Sequence, residues 1–108
     1  MDIKTLKEAL DLKLLCGDDL TREVSGCYCG DLLSWVMSRA QENDIWLTVM
    51  GNINSIGVAV LADVACIVLT ENAALDGDAL KRAQQNGVVI LQTEKNTYQM
   101  AAAISKLI

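Results

Sequence analysis

The sequence predicts an α/β fold of three layers, α/β/α, with helices on both faces of a mostly parallel sheet of about five strands. The central stretch, Ile45 to Asn72, reads IWLTVMGNINSIGVAVLADVACIVLTEN. A short β-branched run meets a turn at Gly51-Asn52, passes into a longer segment carrying Ala59, Leu61 and Ala62, and ends in a second short run. That order is strand, helix, strand, a parallel crossover unit whose strands are buried on both faces. Short apolar runs alternate with segments of helical period along the rest of the chain, as repeated crossovers require. No proline and no Ser/Gly-rich linker interrupts the 108 residues, so residues 1–108 are expected to form one domain.

Taken in order, Ile3, Leu6 and Leu10 share a helical face, which predicts a short amphipathic helix from about Asp2 to Leu12. Lys13 to Cys16 reads as a strand ended by Gly17-Asp18-Asp19. Arg22 to Ser25 reads as a second strand leading into a Gly26-Cys27-Tyr28-Cys29-Gly30 loop. From Asp31 the period changes: Leu32, Leu33, Val36, Met37 and Ala40 form a stripe, with Asp31 placed to cap the helix and Gln41 to Asp44 ending it. In the central unit Ile45–Met50 and Ala65–Leu69 are strands and Ile53–Val64 is the helix. This helix is apolar nearly all round, with Ile53, Ile56 and Val60 on one side and Val58, Leu61 and Ala62 on others, so more than one neighbour must cover it. Two covers compete: a second subunit, making a homodimer through this helix or its neighbour, and the chain's own terminal helices. Ala79, Leu80 and Ala83 mark the next helix, with Asp76 at its N-cap and Gly87 as its stop. Val88–Leu91 is the next strand, Thr93–Asn96 a loop, and Thr97, Ala101, Ile104 and Ile108 one face of the last helix.

Composition narrows the function. The net charge is −5, with nine Lys+Arg, two Trp and two Tyr, which gives neither a basic stripe nor a base-stacking platform; nucleic-acid binding is disfavoured. No uninterrupted apolar stretch reaches the ~20 residues of a membrane span. Met1-Asp2-Ile3-Lys4 does not open a secretion signal, so a cytoplasmic protein is expected. The absence of His removes the commonest general base and metal ligand, and with them Ser-His-Asp and Cys-His chemistry. Walker, GxGxxG and GxSxG patterns are missing too. Asp31, Glu71 and Glu94 are the acids near the expected strand ends, and none has a paired base or nucleophile; no enzymatic activity and no cofactor is expected.

In open parallel sheets, ligands bind beyond the carboxyl ends of the strands. The loops expected there, 25–30, 50–55, 70–72 and 93–96, give a candidate ligand-binding set of Ser25, Gly26, Gly51, Asn52, Asn54, Ser55, Thr70, Glu71, Thr93 and Glu94. Gly26, Gly30 and Gly51 would let backbone N–H groups approach an anion, which suits a small anionic metabolite or a nucleotide. The competing reading makes each of these residues a cap or a turn. Cys16 and Cys66, in apolar strands, read as core. Cys27 and Cys29, a C-x-C in a Gly-rich loop before a helix start, form a candidate redox pair or partial metal site. A complete metal site would need further ligands, and no C-x-x-C is present.

Several features together carry a family resemblance: Gly26 with Asp31-Leu32-Leu33, Leu47 to Gly51, Ala65-Cys66-Ile67-Val68-Leu69-Thr70, and Thr97-Tyr98 opening the last helix. With these, the run from Trp46 to Ile104 resembles the DRTGG domain, a small α/β module found beside CBS domains, in the N-terminal half of some phosphate acetyltransferases, and alone. Where that family's loop usually carries Gly, Asp and Arg, this chain has Gly51, Asn52 and Ile53. The resemblance implies a regulatory role, and the lost cation implies a less charged ligand at that loop or none. The leading expectation is a non-enzymatic regulatory or accessory module, a homodimer that senses a small molecule at its strand ends or docks onto a metabolic enzyme. The alternatives are a redox accessory protein acting through Cys27 and Cys29, and a purely structural interaction subunit.

Overall fold

The computed structural model describes residues 1–108. Ten elements follow one another: α1 (Ile3–Ala9), β1 (Lys13–Cys16), β2 (Gly26–Cys29), α2 (Leu33–Arg39), β3 (Asp44–Thr48), α3 (Ile53–Ala62), β4 (Cys66–Leu69), α4 (Gly77–Asn86), β5 (Ile90–Gln92) and α5 (Thr97–Ser105). The sheet order is β1-β5-β4-β3-β2; β2 to β5 run parallel in chain order, and β1 pairs antiparallel with β5. The expected three-layer α/β/α fold with a mostly parallel sheet of five strands is the observed one.

Two apolar cores explain the layers. On one face Val36 of α2, Ile56, Val58 and Ala59 of α3, and Ala79 and Ala83 of α4 pack on Trp46, Ile67, Leu69 and Ile90. On the other, Ile3 and Leu6 of α1 and Met100 and Ile104 of α5 pack on Ile45, Leu47, Cys66, Val68 and Leu91. The three crossover helices therefore share a face, as right-handed connections between successive parallel strands require. Every residue of β3 and β4 is buried, which is why neither strand shows polar alternation.

The central helix is flanked by α2 and α4. The terminal helices lie on the opposite face of the sheet, so they do not cover it. Its outer side stays open: Val60 is 47% exposed and Leu61 73%.

Three local expectations are corrected. The second strand is Gly26–Cys29 rather than Arg22–Ser25. Residues 22–24 instead tie to the N-terminus, through Ile3 N–H to Arg22 O, Val24 N–H to Met1 O and an Asp2–Glu23 bridge. Helix α2 begins at Leu33 without a side-chain cap; Asp31 accepts instead from Thr48 Oγ1 at 2.7 Å and Val49 N at 3.0 Å, joining the ends of β2 and β3. Asp44, expected to end α2, opens β3, where Oδ2 accepts from Gln41 N at 2.8 Å. Asp76 and Gly87 do bound α4, with Gly87 in the left-handed region at φ 66°.

Candidate functional site

The carboxyl ends of the parallel strands carry the loops 30–32, 49–52, 70–76 and 93–96. The chain leaves β4 toward α4 on one face and leaves β5 toward α5 on the other. Where adjacent strands send their chains to opposite faces an open sheet has its switch point, and here that point lies between β4 and β5.

Thr70, Glu71, Thr93 and Glu94 of the candidate set gather there. Thr70 is fully buried, and its hydroxyl shares a 2.9 Å hydrogen bond with that of Thr97 at the start of α5. Above it the loops are laced together: Glu71 N–H donates to Lys95 O at 2.9 Å, Asn72 N–H to Thr93 O at 2.8 Å, and Gln92 Nε2 to Ala73 O at 2.8 Å. Glu71 and Asn72 both sit in the left-handed region, at φ 59° and 54°. For glutamate that conformation is uncommon, and the inter-loop bonds hold it in place. These bonds close the two loops on each other, and the open crevice, a concavity of about 600 Å³, lies beside them over the ends of β5 and β1, lined by Asn72, Thr93, Glu94 and Lys95 with Asp11 and Lys13. Lys13 enters because antiparallel pairing sets it opposite Gln92, at the carboxyl end of β5. Neither Lys13 nor Lys95 is in an ion pair; the two ion pairs join the N-terminal amine to Glu23 and Arg22 to Asp63. Lys13 and Lys95, neither in an ion pair, thus line a polar hollow together with the carboxylates Asp11 and Glu94 and with amide and hydroxyl groups. Lys95 was visible within its loop, whereas Lys13 had no signal in the sequence, because the pairing of β1 with β5 brings it in.

The other candidates go elsewhere. Asn52 caps α3, its Oδ1 accepting from Ser55 N at 3.1 Å, and Ser55 is fully buried beneath it. Asn54 is exposed on the first turn of α3. The close approach that Gly51 permits is made by a backbone: a Cβ there would overlap the Ala74 carbonyl oxygen. Ser25 and Gly26 lie at the amino end of β2, across the sheet from the crevice, because β2 starts at Gly26; Ser25 Oγ donates to Glu42 O. Gly26 makes room for Asp44, whose Oδ1 would be 2.5 Å from an added Cβ. Cys27 and Cys29 are not in a loop but within edge strand β2.

These features define a small α/β module whose polar loops meet at one strand end. The chain belongs to the DRTGG domain family, whose model matches residues 5–107 and so takes in α1 and β1 as well as the run from Trp46 onward. Its fold is similar to that in the crystal structure of the CBS and DRTGG domains of the regulatory region of Clostridium perfringens pyrophosphatase, complexed with the activator diadenosine tetraphosphate. The TM-score is 0.74 at 9% identity, over 94% of this chain and 45% of that one. At that identity the likeness is one of fold, and this chain spans less than half of the other's length. No curated protein matches the sequence. No helix is long and apolar enough to cross a membrane.

Proposed function

We propose that this chain is a non-catalytic regulatory or accessory module that binds a small anionic metabolite or nucleotide in the crevice beside the β4 and β5 loops. The observation that carries the reading is the polar hollow at this switch point, in which neither Lys13 nor Lys95 is in an ion pair. Ammonium groups so placed favour phosphate or carboxylate oxygens, and Asn72 and Glu94 suit hydroxyl or amine groups on the same ligand. The likeness to a nucleotide-activated regulatory region supports the nucleotide class without fixing the compound.

A thermal-shift series with ATP, AMP, diadenosine tetraphosphate, coenzyme A and acetyl phosphate tests this. A ligand present at 100 times its Kd stabilises the native state by about 2.7 kcal/mol. The expected result is a melting-temperature rise with at least one compound that Lys13→Glu and Lys95→Glu each abolish. A rise that survives both reversals, or none with any compound, refutes the site. The reading includes a homodimer through the neighbouring helices α2 and α3, supported by the exposed Leu32, Trp35, Met37, Val60 and Leu61. Sedimentation should then give a dimer that Leu61→Asp converts to monomer, and a monomeric wild type would exclude it.

A further inference from the structure

The two edges of the sheet are built differently. Strand β1 closes one edge with Lys13 and a register shift between Leu14 and Cys16, features that discourage further pairing. Strand β2 forms the other edge. It pairs with β3 in unbroken register and carries no charge, proline or bulge, so its outer side stays competent to take another strand. Charge favours a second copy of this chain there. The net charge is −5, so two copies repel on average. Yet none of the 14 Asp and Glu lies in β2, in α2, which follows it on one face, or in α5, which packs on it from the other. Asp31 and Asp44, beside β2 in the sequence and in the sheet, are engaged inward, Asp31 by Thr48 and Val49 and Asp44 by Gln41 N–H.

The edge sequence is a palindrome, Gly26-Cys27-Tyr28-Cys29-Gly30. Facing residues in a sheet point to the same side, so two identical strands paired antiparallel about a two-fold axis set one residue opposite itself. With Tyr28 on the axis, Gly26 faces Gly30 of the second copy and Cys27 faces its Cys29. A register centred on Cys27 would instead leave Cys29 opposite Ser25. Tyr28 packs toward the α2 layer. Both cysteines are exposed and free on the opposite side, where with Ile104 and Ile108 they line a groove of about 360 Å³. Facing Cα atoms of antiparallel strands lie ~4.5–5.5 Å apart, within the ~4.4–6.8 Å that disulfides span, whereas diagonal neighbours lie ~7–8 Å apart.

We propose that β2 is a self-association edge: two copies pair through it, antiparallel about Tyr28, and double the five-stranded sheet. An oxidant locks the pair through two symmetry-related disulfides, each from Cys27 of one copy to Cys29 of the other. For each bond two S–H groups give two protons and two electrons to the oxidant, and one S–S bond forms between the copies. The contact goes beyond the crevice and the helix-face dimer, because it lies at the sheet edge away from Lys13 and α3 takes no part in it.

Diamide, an azo compound reduced to its hydrazine as thiols pair, is the oxidant for the test. Reduced, folded protein is treated with it, then resolved by non-reducing electrophoresis and peptide mapping. Wild type should give a covalent dimer joined Cys27 to Cys29, which dithiothreitol returns to single chains. Cys27→Ser alone and Cys29→Ser alone should each lose the cross-link, because their remaining cysteines lie diagonally across the axis. An equimolar mixture of the two variants should regain it, joining Cys29 of one to Cys27 of the other. Leu61→Asp, which breaks the helix-face dimer, should leave the cross-link intact. A Cys27–Cys29 disulfide within one chain, no covalent dimer, or either variant cross-linking with itself as fast as the mixture overturns the proposal. A cross-link lost in Leu61→Asp overturns it too, since the bond would then depend on the helix face rather than on β2.

Discussion

Substituting Gly51 with alanine should destabilise the protein through backbone packing alone. Gly51 lies between β3 and α3, where the β4–α4 loop passes over it; its carbonyl accepts from Asp76 N at 2.8 Å. An added methyl would overlap the Ala74 carbonyl oxygen and lie 3.0 Å from both the Ala74 carbonyl carbon and Leu75 Cα. All three are backbone atoms, so no rotamer change relieves the clash and the loop itself must move. Overpacking of this kind costs about 1–3 kcal/mol. Displacing the loop also breaks the Asp76–Gly51 hydrogen bond, worth about 1 kcal/mol. The sum, roughly 2–4 kcal/mol, is a large share of the ~5–15 kcal/mol by which domains are stable. At about 4 °C per kcal/mol for this size, the melting temperature should fall by about 8–16 °C. Thermal unfolding followed by circular dichroism reads this directly. A Gly51→Ala protein melting within about 2 °C of wild type would mean that the loop yields freely, and the packing explanation of this glycine would be wrong.

Asn52→Ala removes the α3 cap and should cost about 1 kcal/mol in urea unfolding, whereas exposed Asn54→Ala should stay within about 0.5 kcal/mol of wild type; equal effects would contradict the cap. Asp31→Ala deprives the buried Thr48 hydroxyl and Val49 N–H of their acceptor, a loss of about 1–3 kcal/mol that Asp31→Asn should largely recover; an alanine variant as stable as wild type would count against the link. Asp2 and Asp19 are held below the ordinary 3.8, Asp2 mainly by the Thr5 backbone N–H and Asp19 mainly by the Thr21 hydroxyl. A lowered carboxylate stabilises the fold above its unfolded value and loses that contribution as pH falls through the folded one. Carboxyl NMR titration should therefore place both midpoints under 3.8, and a value at or above it would refute the assignment.

The sequence was most legible where local signals and tertiary structure agree. The β3-α3-β4 unit shows its short β-branched strands and its longer helix directly, and Asp76 and Gly87 bracket α4 as cap and stop residues should. Legibility failed where a distant contact decides. The run Arg22–Ser25 has strand-like residues, but Arg22 O and Val24 N–H are taken by Ile3 and Met1, and Ser25 N–H by Asn43. Gly26-Cys27-Tyr28-Cys29 reads as a loop from its glycine, yet that glycine is required because Asp44 sits over it in the paired strand. This shift moved Ser25 and Gly26 to the amino end of the sheet. The crevice is half visible: Thr70, Glu71, Thr93 and Glu94 read as strand-end loop residues, but where the switch point falls depends on the face that α5 takes. That choice follows from Met100 and Ile104 meeting the core shared with α1. Asn52 and Ser55 followed their competing reading, since a cap uses the same polar atoms that would otherwise meet a ligand.

The sheet order also bears on how the chain reaches its structure. Strands β2 to β5 each pair with the next along the sequence, so the parallel part can grow by short-range additions as the polypeptide lengthens, with little loop-closure entropy lost at each step. Strand β1 stands apart. It is made early, yet its partner β5 lies near the end of the chain, and Lys13 meets Gln92 only after nearly everything between them exists. Strand β1 must therefore wait for β5, and their pairing is the step that brings Lys13 to the crevice.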